Sequence, residues 1–120
     1  MDQDTKIEDL KKTTRQFCEE REWDQFHNIK DLAIGAVTES AELLEVFRFQ
    51  SEKQIEELLK QPAQREAISD ELADVLFFLL RISQKYDFDL SDAFVKKLQK
   101  NKAKYPVEKA KGQNTKYTDF

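Results

Sequence analysis

Glycine and proline are scarce in this sequence, two of each in 120 residues. Sheets joined by tight turns draw on both, so their shortage excludes a strand-and-turn architecture and leaves long helices. Cysteine occurs once, at Cys18, so no intrachain disulfide can form, and a reducing cytoplasm is the expected location. No apolar run reaches ~18 residues, and the chain opens on charged and polar residues, so neither a membrane span nor an export signal is expected. A basic excess is also missing: the net charge of −4 argues against a nucleic-acid polymer as partner. No Gly-rich phosphate loop, internal repeat or Gly/Ser linker occurs, so one domain is expected over residues 1–120, with a core of about 5–105 and a basic tail from 106 to 120.

What the chain does have is 37% charged residues, with Leu, Lys, Glu and Ala throughout. The expected fold is all-α, a four-helix bundle. Asp4 or Thr5 can cap a first helix to about Arg21, with Ile7, Leu10, Thr14 and Phe17 on one face. Asn28 can cap a second helix with its body at 32–49, and Ser51 with Gln54 has the form of a capping box for a short third segment. Pro62 suits the first turn of a helix reaching about Tyr86, and Ser91 can cap a last long helix that ends before Pro106. A chain this short leaves long helices incompletely covered, so a homodimer or homotetramer is expected.

The acidic residues are not spread evenly. On a helical wheel centred on Glu39, Leu32, Gly35, Leu43 and Val46 fall within ~40°, so this carboxylate sits in an apolar arc. Glu42 lies three residues on, a neighbour on the same face. Burying unpaired carboxylates is costly, and a sequence that tolerates them usually supplies a cation. Glu71 and Asp74 repeat the spacing on the fourth segment. Asp70, Arg81 and Lys85 share the side of Asp74, while Leu72, Val75, Leu76, Leu79 and Ile82 mark an opposite, greasier side, so a solvated face accounts for this second pair equally well. Oxygen ligands with no His or Cys nearby select a hard cation, Mg²⁺ first, with Mn²⁺ as substitute. The single histidine, His27, lies outside both pairs, which speaks against a di-iron carboxylate site. Gly35, one turn before Glu39, suits the close approach of a neighbouring helix.

The pattern Glu39-Ser-Ala-Glu42, then Glu71-Leu-Ala-Asp74 after residues 43–70, resembles the ExxE…ExxD signature of the MazG-like all-α nucleotide pyrophosphohydrolases. The segment Glu20-Arg-Glu-Trp-Asp-Gln-Phe-His27 before it, and Asn101-Lys-Ala-Lys-Tyr-Pro106 and Lys116-Tyr-Thr118 after it, extend the likeness to the dCTP-pyrophosphatase branch over about residues 5–119. The resemblance implies hydrolysis of a nucleoside triphosphate to monophosphate and pyrophosphate, for housecleaning of the nucleotide pool. It implies metal at Glu39, Glu42, Glu71 and Asp74, and oligomers with sites built from more than one chain. Glu39 or Glu42 is the expected general base.

Substrate contacts are expected at Trp23 and His27 in the connector, and at Lys97, Asn101 and Lys104, which share one face of the last helix amid a run of lysines from Lys96 to Lys116. Phe49 and Phe78 stand where the branch places polar-tipped aromatics, which puts strict cytosine selectivity in doubt. For each of these, ordinary packing or surface polarity is the competing account. Two other functions fit the same residues: a related hydrolase preferring dUTP or damaged purine nucleotides, and a non-catalytic helical interaction module, which would show no divalent-metal dependence.

Overall fold

The computed structural model describes all 120 residues and contains helices and no strand. Six α-helices follow in order: α1 Ile7–Glu20, α2 Ile29–Phe47, α3 Glu52–Leu58, α4 Pro62–Lys85, α5 Leu90–Lys104 and α6 Val107–Ala110. Short 3₁₀ turns lie at Asp24–Phe26 and Tyr117–Asp119. The four long helices expected from the sequence are α1, α2, α4 and α5. Contacts divide the chain into two compact units, Met1–Asp87 and Phe88–Phe120.

In the first unit, α4 packs against both α1 and α2. The local signals operate as their chemistry requires. The Asn28 side chain accepts from the Asp31 backbone N–H at 2.8 Å. Ser51 and Gln54 form a reciprocal capping box, 2.8 and 3.1 Å, and Pro62 occupies the first turn of α4, where its missing N–H is no loss. The start of α1 differs from expectation. Its cap is Lys6 rather than Asp4 or Thr5, because the Asp9 carboxylate reaches back to accept from the Lys6 N–H at 3.0 Å.

At Gly35 α2 meets the Phe78 ring of α4 closely. A Cβ there would lie 2.3 Å from Cε1 of Phe78. Since Gly35 meets Phe78 while Glu39 and Glu42 meet Glu71, the two helices run antiparallel. The buried apolar core is small, consisting of Cys18, Leu32 and Leu80. The sidedness of α4 is the main departure from the helical wheel. Arg81 is 1% exposed, while Leu72, Leu76 and Leu79, on the greasier side opposite Asp74, are exposed. Arg81 can be inside because each of its three guanidinium nitrogens donates to an acceptor, as described below.

In the second unit, α5 is capped by Asp89, whose Oδ1 accepts from the Asp92 N–H at 2.9 Å, two residues earlier than the expected Ser91. α5 has no buried residue. Residues 106–120, expected as a tail, carry α6 and the second 3₁₀ turn. They close on Tyr105, whose ring meets those of Tyr117 and Phe120 edge-on at 5.7 and 5.8 Å.

Candidate active site

Antiparallel packing of α2 on α4 brings one carboxylate pair onto the other. Carboxylate oxygens of Glu39, Glu42 and Glu71 all lie within 4.8 Å of one another. Asp74, one turn after Glu71, stands outside that group and is exposed, but its charge reaches both Glu39 and Glu71. No lysine or arginine forms an ion pair with any of the four. Oε2 of Glu39 and Oε2 of Glu71 are buried without a hydrogen-bond partner.

Such crowding changes the acidity of the group. A hydrogen bond shared with Glu42, then burial, then the charges of Glu42, Asp74 and Glu71 push the Glu39 carboxyl up to about 7. Burial first, then Glu42 and Asp74, raise Glu71. Like charges this close cannot all ionise cheaply, so Glu39 holds its proton to a higher pH than a free carboxyl does. A cation would relieve them more fully. Acceptor-only oxygens, two of them buried and unbonded, without sulfur or imidazole, are a donor set for a hard divalent ion.

Residues 34–120 match the MazG-like family. The chain belongs to that family. Its MazG-like relatives include dCTP pyrophosphatase 1 of Rattus norvegicus, 35% identical over 114 residues that make up 95% of this chain and 67% of the rat protein. The Homo sapiens dCTP pyrophosphatase 1 is 32% identical over the same length. A pyrophosphatase crystal structure from Archaeoglobus fulgidus superposes with a TM-score of 0.77 at 34% identity, covering 83% of this chain and 92% of that one.

The other expected site residues of this MazG-like chain fall into separate places. Phe78, one turn past Asp74, is the ring pressed against Gly35 and meets Phe77 edge-on at 5.4 Å. From Phe77 a chain of edge-to-face contacts runs through Phe17 and Trp23 to His27, at 5.8, 5.6 and 6.0 Å. Phe49 is 89% exposed after α2, with φ of 64°, a strained backbone for a bulky side chain, and its ring is covered by the Arg48 guanidinium at 4.6 Å. Lys97 and Lys104 are exposed and Asn101 half-buried on α5; the Lys104 ammonium lies 4.9 Å from the Tyr117 ring. None of these residues belongs to the carboxylate group.

The helical wheel missed a polar knot at the far end of α4. Arg81 donates from Nε to His27 Nδ1 at 3.0 Å, from Nη2 to Asp24 Oδ1 at 3.0 Å and from Nη1 to Gln84 Oε1 at 2.5 Å. Lys85 donates to the Asp24 carbonyl at 2.8 Å and to the His27 carbonyl, and lies 3.4 Å from Asp24 Oδ1. The two cations hold the Asp24 carboxyl below its usual range. The available signal was Arg81 and Lys85 recurring one turn apart on the side of Asp74; solvation was the simpler account of it.

Proposed function

We propose that this chain hydrolyses nucleoside triphosphates to monophosphate and pyrophosphate at a divalent-cation site made by Glu39, Glu42, Glu71 and Asp74. The observation that carries this reading is the pair of buried, unbonded oxygens on Glu39 and Glu71 inside a three-carboxylate group. That arrangement is repulsive in the bare protein and useful with a cation present. The reaction class is that of the MazG-like family and of the dCTP pyrophosphatases and the pyrophosphatase to which the chain is similar.

Bound Mg²⁺, or Mn²⁺ in its place, would supply positive charge to the triphosphate oxygens and acidify a water. The chain's own residues then have distinct tasks. Glu71 and Asp74 hold one side of the site from α4, and Glu39 and Glu42 the other from α2. Glu39, its carboxyl pushed up to about 7 by the neighbouring Glu42 and by burial, or Glu42 itself, takes the proton of the attacking water. Trp23, His27, Phe49 and Phe78 supply aromatic and hydrogen-bonding surface for the nucleoside. Phe49 and Phe78 have no polar tips with which to read a base, so we expect dCTP to be accepted along with modified dNTPs.

The exposed leucines of α4, together with Val37 and Leu44 on α2, form apolar surface that a second copy of the chain would cover, and a homodimer or homotetramer is part of this proposal. We take residues 1–120 as one catalytic domain working in the cytoplasm on free nucleotides, with no role for a membrane or a nucleic-acid polymer. No helix is long and apolar enough to cross a membrane.

The test is a panel of canonical and modified dNTPs and NTPs, incubated with Mg²⁺, Mn²⁺ or EDTA, with monophosphate, pyrophosphate and orthophosphate resolved. Metal-dependent release of pyrophosphate is expected. Orthophosphate as the first product, or folded protein inert on every nucleotide, overturns the reading.

A further inference from the structure

The knot around Arg81 has a chemical consequence for His27. A guanidinium N–H can only donate, so the imidazole nitrogen facing Arg81 Nε at 3.0 Å must be an acceptor and carry no proton. A neutral imidazole bears one proton, which is therefore on the other nitrogen, Nε2, and Nε2 takes no part in the knot. The groups that face His27 agree with a neutral ring. Arg81 and Lys85 from α4 bring positive charge, Asp24 from the 3₁₀ turn brings one negative charge, the Tyr86 hydroxyl lies 3.4 Å from the His27 carbonyl, and the Trp23 ring covers one edge. Burial, then Arg81 and Lys85, lower the histidine below its ordinary range against the opposing pull of Asp24.

We infer that Arg81 is a positioning residue that locks His27 as its Nε2–H tautomer, presenting a neutral hydrogen-bond donor beside Trp23 to an acceptor atom on the base of the nucleotide. The inference rests on the pyrophosphohydrolase reading for its ligand, though not for the tautomer. The base is the indicated partner because the Trp23 ring beside His27 offers a flat apolar face for stacking, while Arg81 lies ten residues beyond Glu71 on α4, ~15 Å along its axis and so removed from the carboxylates that would hold the phosphates' cation. An uncharged donor also suits a base carbonyl or ring nitrogen, whereas phosphate binding favours cations.

His27 is the only histidine in the chain, so selective ¹⁵N labelling reports on it alone. The spectrum of the full chain at neutral pH should show a single Nε2–H tautomer, with Nδ1 unprotonated. A protonated Nδ1, or an even tautomer mixture, overturns the lock whatever the enzyme's activity. Arg81→Met should convert the spectrum to a mixture. Kinetics with dCTP as probe then read the role. His27→Asn, whose amide mimics the δ position, should raise KM roughly 2- to 10-fold with kcat little changed, the effect of one neutral hydrogen bond. His27→Gln, which can place an N–H near the ε position, should recover most of that loss. Arg81→Met should raise KM as His27→Asn does, and the double variant no further. Where Arg81→Met does not fold, the wild-type spectrum and the Gln/Asn pair decide. Inhibition by inorganic tripolyphosphate should be the same in all folded variants. Equal weakening of tripolyphosphate, additive effects in the double variant, or no recovery with Gln refutes the base-donor role. A wild-type chain inert on all nucleotides removes the pyrophosphohydrolase reading and this role with it, while the ¹⁵N result still decides the lock.

Discussion

Replacing Gly35 with alanine sets two known effects against each other at the seam that carries the site. In a helix interior alanine is favoured over glycine by about 1 kcal/mol, and with no neighbour the variant would be stabilised. Phe78 is the neighbour. The new Cβ would meet Cε1 at 2.3 Å and Cδ1 and Cζ at 2.6 Å, against an ordinary contact of 3.4–4 Å, so ring or helix must withdraw by about 1 Å. The Phe78 ring is already engaged edge-on by Phe77 at 5.4 Å, which limits its retreat. Overpacking of this kind costs about 1–3 kcal/mol, so the net change for Gly35→Ala should be a loss of ~0–2 kcal/mol. In thermal unfolding at fixed protein concentration, without added metal, a loss of ~1 kcal/mol would appear as a drop of about 3–6 °C. The control is a double-mutant cycle. In a Phe78→Leu background the same Gly35→Ala change should lose its penalty and become stabilising. Stabilisation by Gly35→Ala in the wild-type background, or the same effect in both backgrounds, would refute the close approach of α2 and α4 at this point.

Glu42→Gln or Asp74→Asn should abolish turnover while leaving the fold intact, judged by circular dichroism; wild-type turnover by both removes the site assignment. The pH dependence of the metal-free protein has a defined sign. The folded chain keeps a proton on Glu39 between about 4.5, its ordinary value, and about 7, where the unfolded chain has released it, so stability falls as pH rises through that window. His27, lowered, works the other way, adding stability above 6.5 that is lost as pH falls through its folded value. Glu39→Gln removes only the first effect. In EDTA its Tm should therefore pull ahead of wild type as pH rises through the window, and a constant gap contradicts the crowded-carboxylate account. Ser51→Ala breaks the capping box before α3 and should cost about 1 kcal/mol in denaturant unfolding; no measurable change would mean that α3 is already frayed. Tyr105→Ala releases both rings that hold the end of the chain, so limited trypsin digestion should cut faster after Lys116, and an unchanged rate would deny that contact a role.

The features legible in the sequence are those whose cause is local. Asn28, Ser51 with Gln54, and Pro62 each act within one turn of themselves, and the helices start where those residues place them. The i,i+3 carboxylates were legible for the same reason, since helical geometry alone puts each pair on one face, and three of the four do meet. What escaped was set by distant partners. Arg81 reads as solvated until Asp24 and His27, 57 and 54 residues away, are known to accept from it. Likewise, residues 106–120 read as a tail because the ring contacts of Tyr105 with Tyr117 and Phe120 that fold them back leave no mark in local spacing. The cap of α5 was a closer matter: Asp89 and Ser91 are both good acceptors, and the carboxylate at 89 took the Asp92 N–H.

Arg81 and the leucines of α4 together say why a wheel fails for this helix. A wheel equates apolar with inside, which holds when one unit must bury everything it can. Here the buried apolar set is only Cys18, Leu32 and Leu80, while Leu72 stays 54% and Leu44 61% exposed. A chain stabilised by its own core would not leave those side chains in water while placing a guanidinium inside. The pattern makes sense when stability is shared with a further surface and a bound ion. On the proposed reading a second copy would cover the leucines and a cation would sit among the carboxylates between α2 and α4, leaving Arg81 and Lys85 to hold the connector that carries Trp23 and His27.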